Sequence, residues 1–326
     1  VGIGSQRAAT QSGAQLVSTQ GKTARSWLPA YLLLALIWGF SFFFIKIGLD
    51  TFTPVGLVFA RIVLGAVTLI ILSLVTKTPL PPKWSWKYIF FASLFWVSFP
   101  WMLISFSETR VSSAFAGILN GGIPLMTLVA ILLIFPEEKP TKLRMLGLAL
   151  GLVGILVVVG IWNTGGANNG SGIDLLGVGA LILAISCAGT GFPFVRRYLT
   201  GPTVREPLDP VALATGMMLW GLVITGPIVA FTGITNAELA AGPLLAVAAL
   251  GVLGSGVAYV LNFKVVTAAD ATTASTVTYI TPLVAVIVGA ILLNEHITWN
   301  QPVGGLLVVL GAATAQGLLH RKTPKH

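Results

Sequence analysis

The feature that most constrains this chain is its series of unbroken apolar runs, each about as long as a bilayer is thick. Crossing roughly 30 Å of hydrocarbon as an α-helix takes about 20 residues. Runs of that length recur at 28–49, 54–75, 87–107, 111–135, 143–162, 173–199, 209–231, 243–266, 270–293 and 301–319. Only 9% of the residues are charged and 55% are hydrophobic, against about 25% charged in a soluble domain, so a water-facing surface cannot be built from them. A transmembrane β-barrel needs short segments of alternating polarity, and these are missing. The expectation is an all-α polytopic membrane protein with ten transmembrane helices. Cys187, the one cysteine, lies in an apolar run and has no partner for an internal disulfide.

Charge placement tests the count. Residues 1–26 form a polar tail without the apolar stretch of a signal peptide, and 321–326 form a short basic tail. Between them, 27–162 and 173–320 hold five spans each, joined by a Gly- and Asn-rich loop over 163–172. With both termini placed in the cytoplasm, the inner ends collect Arg7, Lys22, Arg25, Lys77, Lys83, Lys87, Lys139, Lys142, Arg144, Arg196, Arg197, Arg205, Lys264, Arg321, Lys322 and Lys325. The outer ends keep only Lys46 and Arg110, and Arg61 falls within a span. Cytoplasmic loops of membrane proteins carry an excess of Lys and Arg, so the net charge of +9 reads as a topology signal and no nucleic-acid partner is expected.

The two halves resemble each other. A shift of 158 residues brings Pro124-Leu125 onto Pro282-Leu283, Glu137 onto Glu295, Gly147-Leu148 onto Gly305-Leu306 and Trp101 onto Tyr259. A shift of 156 brings Pro54-Val55 onto Pro210-Val211 and Gly65 onto Gly221. Five spans is an odd number, so the second half enters the membrane the opposite way round. The predicted architecture is two inverted five-helix repeats about a pseudo-two-fold axis in the membrane plane, a plan that suits alternating access.

Several stretches carry a family resemblance. They are Trp38-Gly39 with Phe42, Phe43 and Lys46; Pro54 and Arg61; Ser113 through Pro124 to Glu137, then Gly147 and Gly154; and, in the second half, Ala258-Tyr259, Asn262, Ala268 through Ser275, Thr281-Pro282, Glu295 and Gly305. With them the chain resembles the EamA-type members of the drug/metabolite transporter superfamily over about residues 28–320. The resemblance implies a ten-span exporter of amino acids or other metabolites in a bacterial-type inner (plasma) membrane, and the general layout is similar to the aromatic amino-acid exporters of that superfamily.

Candidate residues for the transport path are the polar and aromatic groups inside spans. Arg61 is the one formal charge clearly within a run, about 10 Å along the helix from Pro54. It either pairs structurally with polar groups or attracts a substrate carboxylate. Asn120 precedes Pro124 by one turn, and Thr278 and Pro282 repeat that face in the second half. Pro124 and Pro282, with the neighbouring Gly121, are candidate hinges, because a proline removes a helix hydrogen bond and bends the axis. Ser98, Trp101 and Ser105 share one face of the third span; Ser255, Tyr259 and Asn262 share one face of the eighth. Trp38, Phe42 and Tyr279 add aromatic surface. A pocket of aromatic walls and few polar anchors suits a zwitterion with an apolar side chain. Each of these groups has a plainer role open to it in packing or interhelical hydrogen bonding.

Asp50, Glu108, Glu137, Glu138, Asp174, Asp209, Asp270 and Glu295 all fall at span ends or in loops, as do His296, His320 and His326. Proton-driven carriers need an intramembrane titrating group, so the expectation is facilitated transport without proton coupling. No P-loop is present, so ATP-driven pumping, cofactors and metals are not expected, nor is enzymatic activity. An oligomer is possible but not required. Nucleotide sugars and cationic drugs are the alternative cargoes, with a membrane enzyme or a channel as remoter classes.

Overall fold

A computed structural model describes residues 27–134, 141–160, 174–201, 204–268 and 277–315. Both expected tails, the 163–172 loop and Glu137, Glu138 and Asp270 lie outside the described residues. Among the described residues the chain is helical throughout and contains no β-strand. Eight helices are long and apolar enough to cross a membrane: α1 (Leu28–Gly48), α2 (Pro54–Thr76), α3 (Lys83–Glu108), α4 (Ser113–Leu133), α5 (Lys142–Val159), α6 (Leu175–Thr200), α7 (Pro210–Thr232) and α8 (Ala241–Asn262). α8 continues helically to Ala268. Two shorter helices follow, α9 (Val277–Leu292) and α10 (Asn300–Ala315), of 16 residues each. The boundaries fall within a few residues of the apolar runs, except that α9 is described only from Val277.

Local signals explain where helices begin. Thr53, Ser112, Thr141 and Asp209 each accept a backbone N–H of the first turn: Gly56 at 2.9 Å, Phe115 at 3.2 Å, Arg144 at 3.3 Å and Val211 at 2.8 Å. These caps satisfy donors that a helix start would otherwise leave unpaired. Polarity is arranged inside out. Leu32, Leu74, Val75, Leu133, Leu245 and Ile291 are exposed, whereas Ser41, Arg61, Ser98, Ser105, Thr215, Thr225 and Ser255 are buried. With hydrocarbon outside, apolar side chains lose nothing by facing outward and polar groups must find partners within.

α5 and α10 form the tightest pair. Their backbones touch at glycines: a side chain on Gly154 would sit 2.6 Å from the Val308 nitrogen, and one on Gly311 would sit 2.7 Å from the Gly147 oxygen. Asn300 Nδ2 closes the pair by donating to the Val158 carbonyl at 2.9 Å. The most extensive of the remaining contacts come in matched sets. α1 packs on α8 and α9, and α6 packs on α3 and α4; α2 packs on α8, and α7 on α3; α2 packs on α7, and α4 on α9. Exchanging each helix for the one five places away leaves this pattern unchanged.

Two departures from regular helix stand out. The fourth span breaks at Gly121–Gly122 into Ser113–Asn120 and Ile123–Ile134. Pro124 therefore stands in the first turn of the second piece, where a missing N–H costs nothing, and the glycines make the break that the sequence suggested for the proline. Pro282 does lie inside α9, and Gly121 packs against its ring, where a Cβ would come within 2.9 Å of Cγ. The second departure is a widening to π-turns at Leu94–Ser98 in α3 and Leu250–Val257 in α8. In α3, Pro100 cannot donate to the carbonyl four residues back, and the preceding turn relaxes around its ring. The α8 widening contains Gly251, Gly254 and Gly256, each a weak helix former.

Gly154→Leu is predicted to lower the unfolding temperature of the detergent-purified protein, by an overpacking cost of about 1–3 kcal/mol. Gly179→Leu serves as the control, because a side chain at Gly179 meets nothing within 4 Å. Equal effects of the two substitutions would contradict the backbone contact described.

Candidate functional site

Three helices converge on Arg61. Small residues allow the approach of α2 to α8: a Cβ on Gly65 would lie 2.9 Å from that of Ser255, and one on Gly251 would lie 3.0 Å from the Arg61 carbonyl. Arg61 is 6% exposed. Its Nε donates to Ser255 Oγ at 3.0 Å, and that hydroxyl in turn donates to the Leu250 carbonyl at 3.2 Å, five residues back along the π-turn. The guanidinium carbon stands 3.7 Å from the centre of the Trp101 ring on α3. Tyr259, one turn beyond Ser255, lies within electrostatic reach of Arg61.

Two contacts work against the cost of burying this cation. A desolvated guanidinium over an aromatic face gains about 2 kcal/mol, and a hydrogen bond to a charged group about 1.5–3 kcal/mol. Burying an ion costs several kcal/mol even after relaxation. A guanidinium has five N–H donors, and no carboxylate among the described residues pairs with it; their one salt bridge is Arg110–Asp174 at 2.9 Å. At that exposed pair, the Gly177 N–H and then Arg110 hold the Asp174 carboxyl below its ordinary range. Arg61 has no such partner among the described residues, and a bound carboxylate would complete it.

A small apolar groove of about 160 Å³ between α1 and α8 reaches the same place. Leu36, Ile37, Phe40, Phe44 and Leu253 line it, with Ser41 and Gly254 at its base. Gly254 is the wall between groove and cation: a Cβ there would stand 3.6 Å from an Arg61 terminal nitrogen and 3.5 Å from Ser41 Oγ.

Of the residues singled out from sequence, Arg61, Trp101, Ser255 and Tyr259 are brought together. Ser98 and Ser105 flank Trp101 on the same face of α3, both buried and with their hydroxyls unpartnered among the described residues. Phe42 and Tyr279 belong to a different cluster, with Ala116, Ile118 and Ala285 around the α4–α9 crossing. Trp38 packs with Tyr31, Leu34 and Val277. Asn120 is half-buried at the α4 break, and Thr278 and Asn262 are half-buried on α9 and α8. Sequence reasoning passed over Ser41 and Gly254, which carry no signal of their own, and Glu108. Glu108 continues the i, i+3, i+7 face of Ser98, Trp101 and Ser105, so that periodicity was the available clue.

A model of the EamA-like transporter family matches residues 25–160 and again 175–315. The chain belongs to the EamA-like transporter family. It is a multi-pass membrane transporter, and each family match covers one five-helix half. Among similar proteins, the uncharacterized transporter YdfC of Bacillus subtilis is 25% identical over 295 residues, covering 89% of this chain and 90% of that one. The uncharacterized inner membrane transporter YedA of Escherichia coli K12 is 26% identical over 84% of this chain and 86% of its own length. PagO of Salmonella typhimurium is 29% identical over 48% of this chain and 51% of its own. A protein crystal structure superposes with a TM-score of 0.60 at 16% identity, covering 91% of this chain and 99% of the other, which is a likeness of fold.

Arg61→Met, which keeps an apolar stem and removes the charge, is predicted to stabilise the purified EamA-like protein by about 1–4 kcal/mol while abolishing transport. A lowered unfolding temperature would instead assign Arg61 a structural role.

Proposed function

We propose that this transporter exports amino acids, those with aromatic or apolar side chains foremost, by alternating access. The observation that carries the proposal is the buried Arg61 guanidinium without a carboxylate partner among the described residues, held against Trp101 and beside an apolar groove. A substrate carboxylate completes the charge, and an apolar side chain has aromatic and aliphatic walls to meet. A cationic drug has no such anchor, because the guanidinium repels it.

The transport cycle follows from an arrangement of ten spans in two inverted five-helix repeats, with both termini in the cytoplasm. The matched helix neighbours support the repeat, as do the two family matches and the π-turns of α3 and α8, because the 158-residue shift that pairs Trp101 with Tyr259 brings the first within the second. α5 and α10, backbone on backbone, act as a fixed strut. The Gly121–Gly122 break and Pro282 face each other where α4 crosses α9, and act as the hinge. Among the described residues no acid stands beside Arg61 to exchange a proton with the substrate, so movement is facilitated and runs down the substrate gradient.

Uptake into proteoliposomes across the amino acids tests this. Aromatic and branched amino acids are expected to saturate, and Trp101→Ala and Tyr259→Ala to lower transport efficiency at least about tenfold, the equivalent of about 1.4 kcal/mol. An imposed pH gradient alone is expected to drive no accumulation. Failure across all amino acids would remove the substrate class; uphill accumulation on a pH gradient would overturn uncoupled transport.

A further inference from the structure

Glu108 is the one acidic residue among the described residues that is fully buried. It stands at the last position of α3, on the face that carries Ser98, Trp101 and Ser105. Neither of its carboxylate oxygens has a hydrogen-bond partner among the described residues. The charged groups around it are already committed. Lys46 of α1 donates its ammonium to the Glu108 backbone carbonyl at 2.7 Å and to the Val111 carbonyl at 3.4 Å. Glu295, following α9, accepts the Ser113 N–H at 2.7 Å, the Ser113 hydroxyl at 2.9 Å and the Ala114 N–H at 2.9 Å, capping α4. α6 brings Asp174, which is paired with Arg110, and α4 presents no titratable group of its own here. Arg61 of α2 lies farther along the face, beyond Trp101.

A carboxylate enclosed without donors is accommodated in its neutral form, because an unpaired buried charge is far costlier than a buried carboxylic acid. Lys46 is nevertheless close enough to meet an ionised Glu108 once water or a small backbone shift frees it from the two carbonyls. The enclosed, protonated arrangement therefore has an alternative in which the group is ionised and hydrated beside an ammonium.

We propose that Glu108 is a proton-binding site that closes this end of the transport path. Its carboxyl holds a proton in the arrangement described here and gives that proton to water when the end opens, leaving the carboxylate opposite the Lys46 ammonium. By linkage, acid favours the closed end and alkali the open one. The proton is taken up and released at the same membrane face, so it sets how often the end opens without driving substrate uphill. The inference rests on the transporter reading only in taking this face of α3 as the path.

The test needs no substrate. In full-length protein with Cys187→Ser and Ser105→Cys, reconstituted into vesicles of each orientation in turn, the labelling rate by a membrane-impermeant methanethiosulfonate is followed from about pH 5 to about pH 9, a range spanning ordinary and raised carboxyl titration. The same series is run with Glu108→Gln and with Glu108→Asp. The rate of each protein is divided by that of Glu108→Gln at the same pH, which removes the rise from the thiol's own titration. With Glu108 or Glu108→Asp this ratio is expected to rise about tenfold across the range, opposite in sign to the lowering that a nearby carboxylate imposes on the thiolate. A pH profile unchanged by Glu108→Gln overturns the proposal. An amino-acid screen that finds no substrate would not alter this result, so the two claims fail separately.

Discussion

The structure is organised around one cation placed where cations are expensive. Arg61 lies inside a membrane helix, bonded to Ser255 and resting on Trp101. Those two partners come from α8 and α3, and both depend on features that weaken a helix locally: the π-turn that carries Ser255 and the one that precedes Trp101. The glycines that let α2 approach α8 serve the same end. Helix regularity is given up where the guanidinium is held, and Ser255 and Trp101 offset its burial by amounts comparable to the cost. On the proposed function, a substrate carboxylate joins these two partners at Arg61.

Around that site the protein divides rigid from yielding parts. α5 and α10 meet through glycine backbones with no room for side chains, an arrangement with one good packing. Where α4 crosses α9, a broken helix meets a proline-containing one, so regular helix is interrupted on both sides of the crossing. The matched set of helix neighbours means that an arrangement made by one half has a counterpart in the other. On the alternating-access proposal, such counterparts are what let the two halves exchange arrangements.

Much of this was legible in the sequence, for physical reasons. A bilayer imposes a length on every crossing segment, so ten runs stood out, and eight of them are helices long and apolar enough to cross a membrane. Trp101 and Tyr259 were paired by the internal repeat, and Arg61 stood out as a charge inside an apolar run. Residues that matter only through their position were harder to read. Glu108 closes a span and so looked like a solvated end, but α1, α4 and the residues after α9 fold over it, and burial by distant segments leaves no local trace. Gly254 and Ser41 matter through what they fail to fill, which requires the neighbouring helix to be in place. Phe42, Tyr279 and Trp38 share the aromatic character of Trp101 but pack in other clusters, a difference that aromatic composition alone does not reveal.

The measurement that bears most directly on the role of Arg61 is ligand binding to the purified protein by calorimetry, comparing phenylalanine with phenethylamine, which differ by the carboxylate. If Arg61 binds that group, phenylalanine binds at least about tenfold more tightly, and Arg61→Met removes the difference. Equal affinities in the native protein, or a difference that survives Arg61→Met, would contradict the assignment of Arg61 as the substrate's anion site.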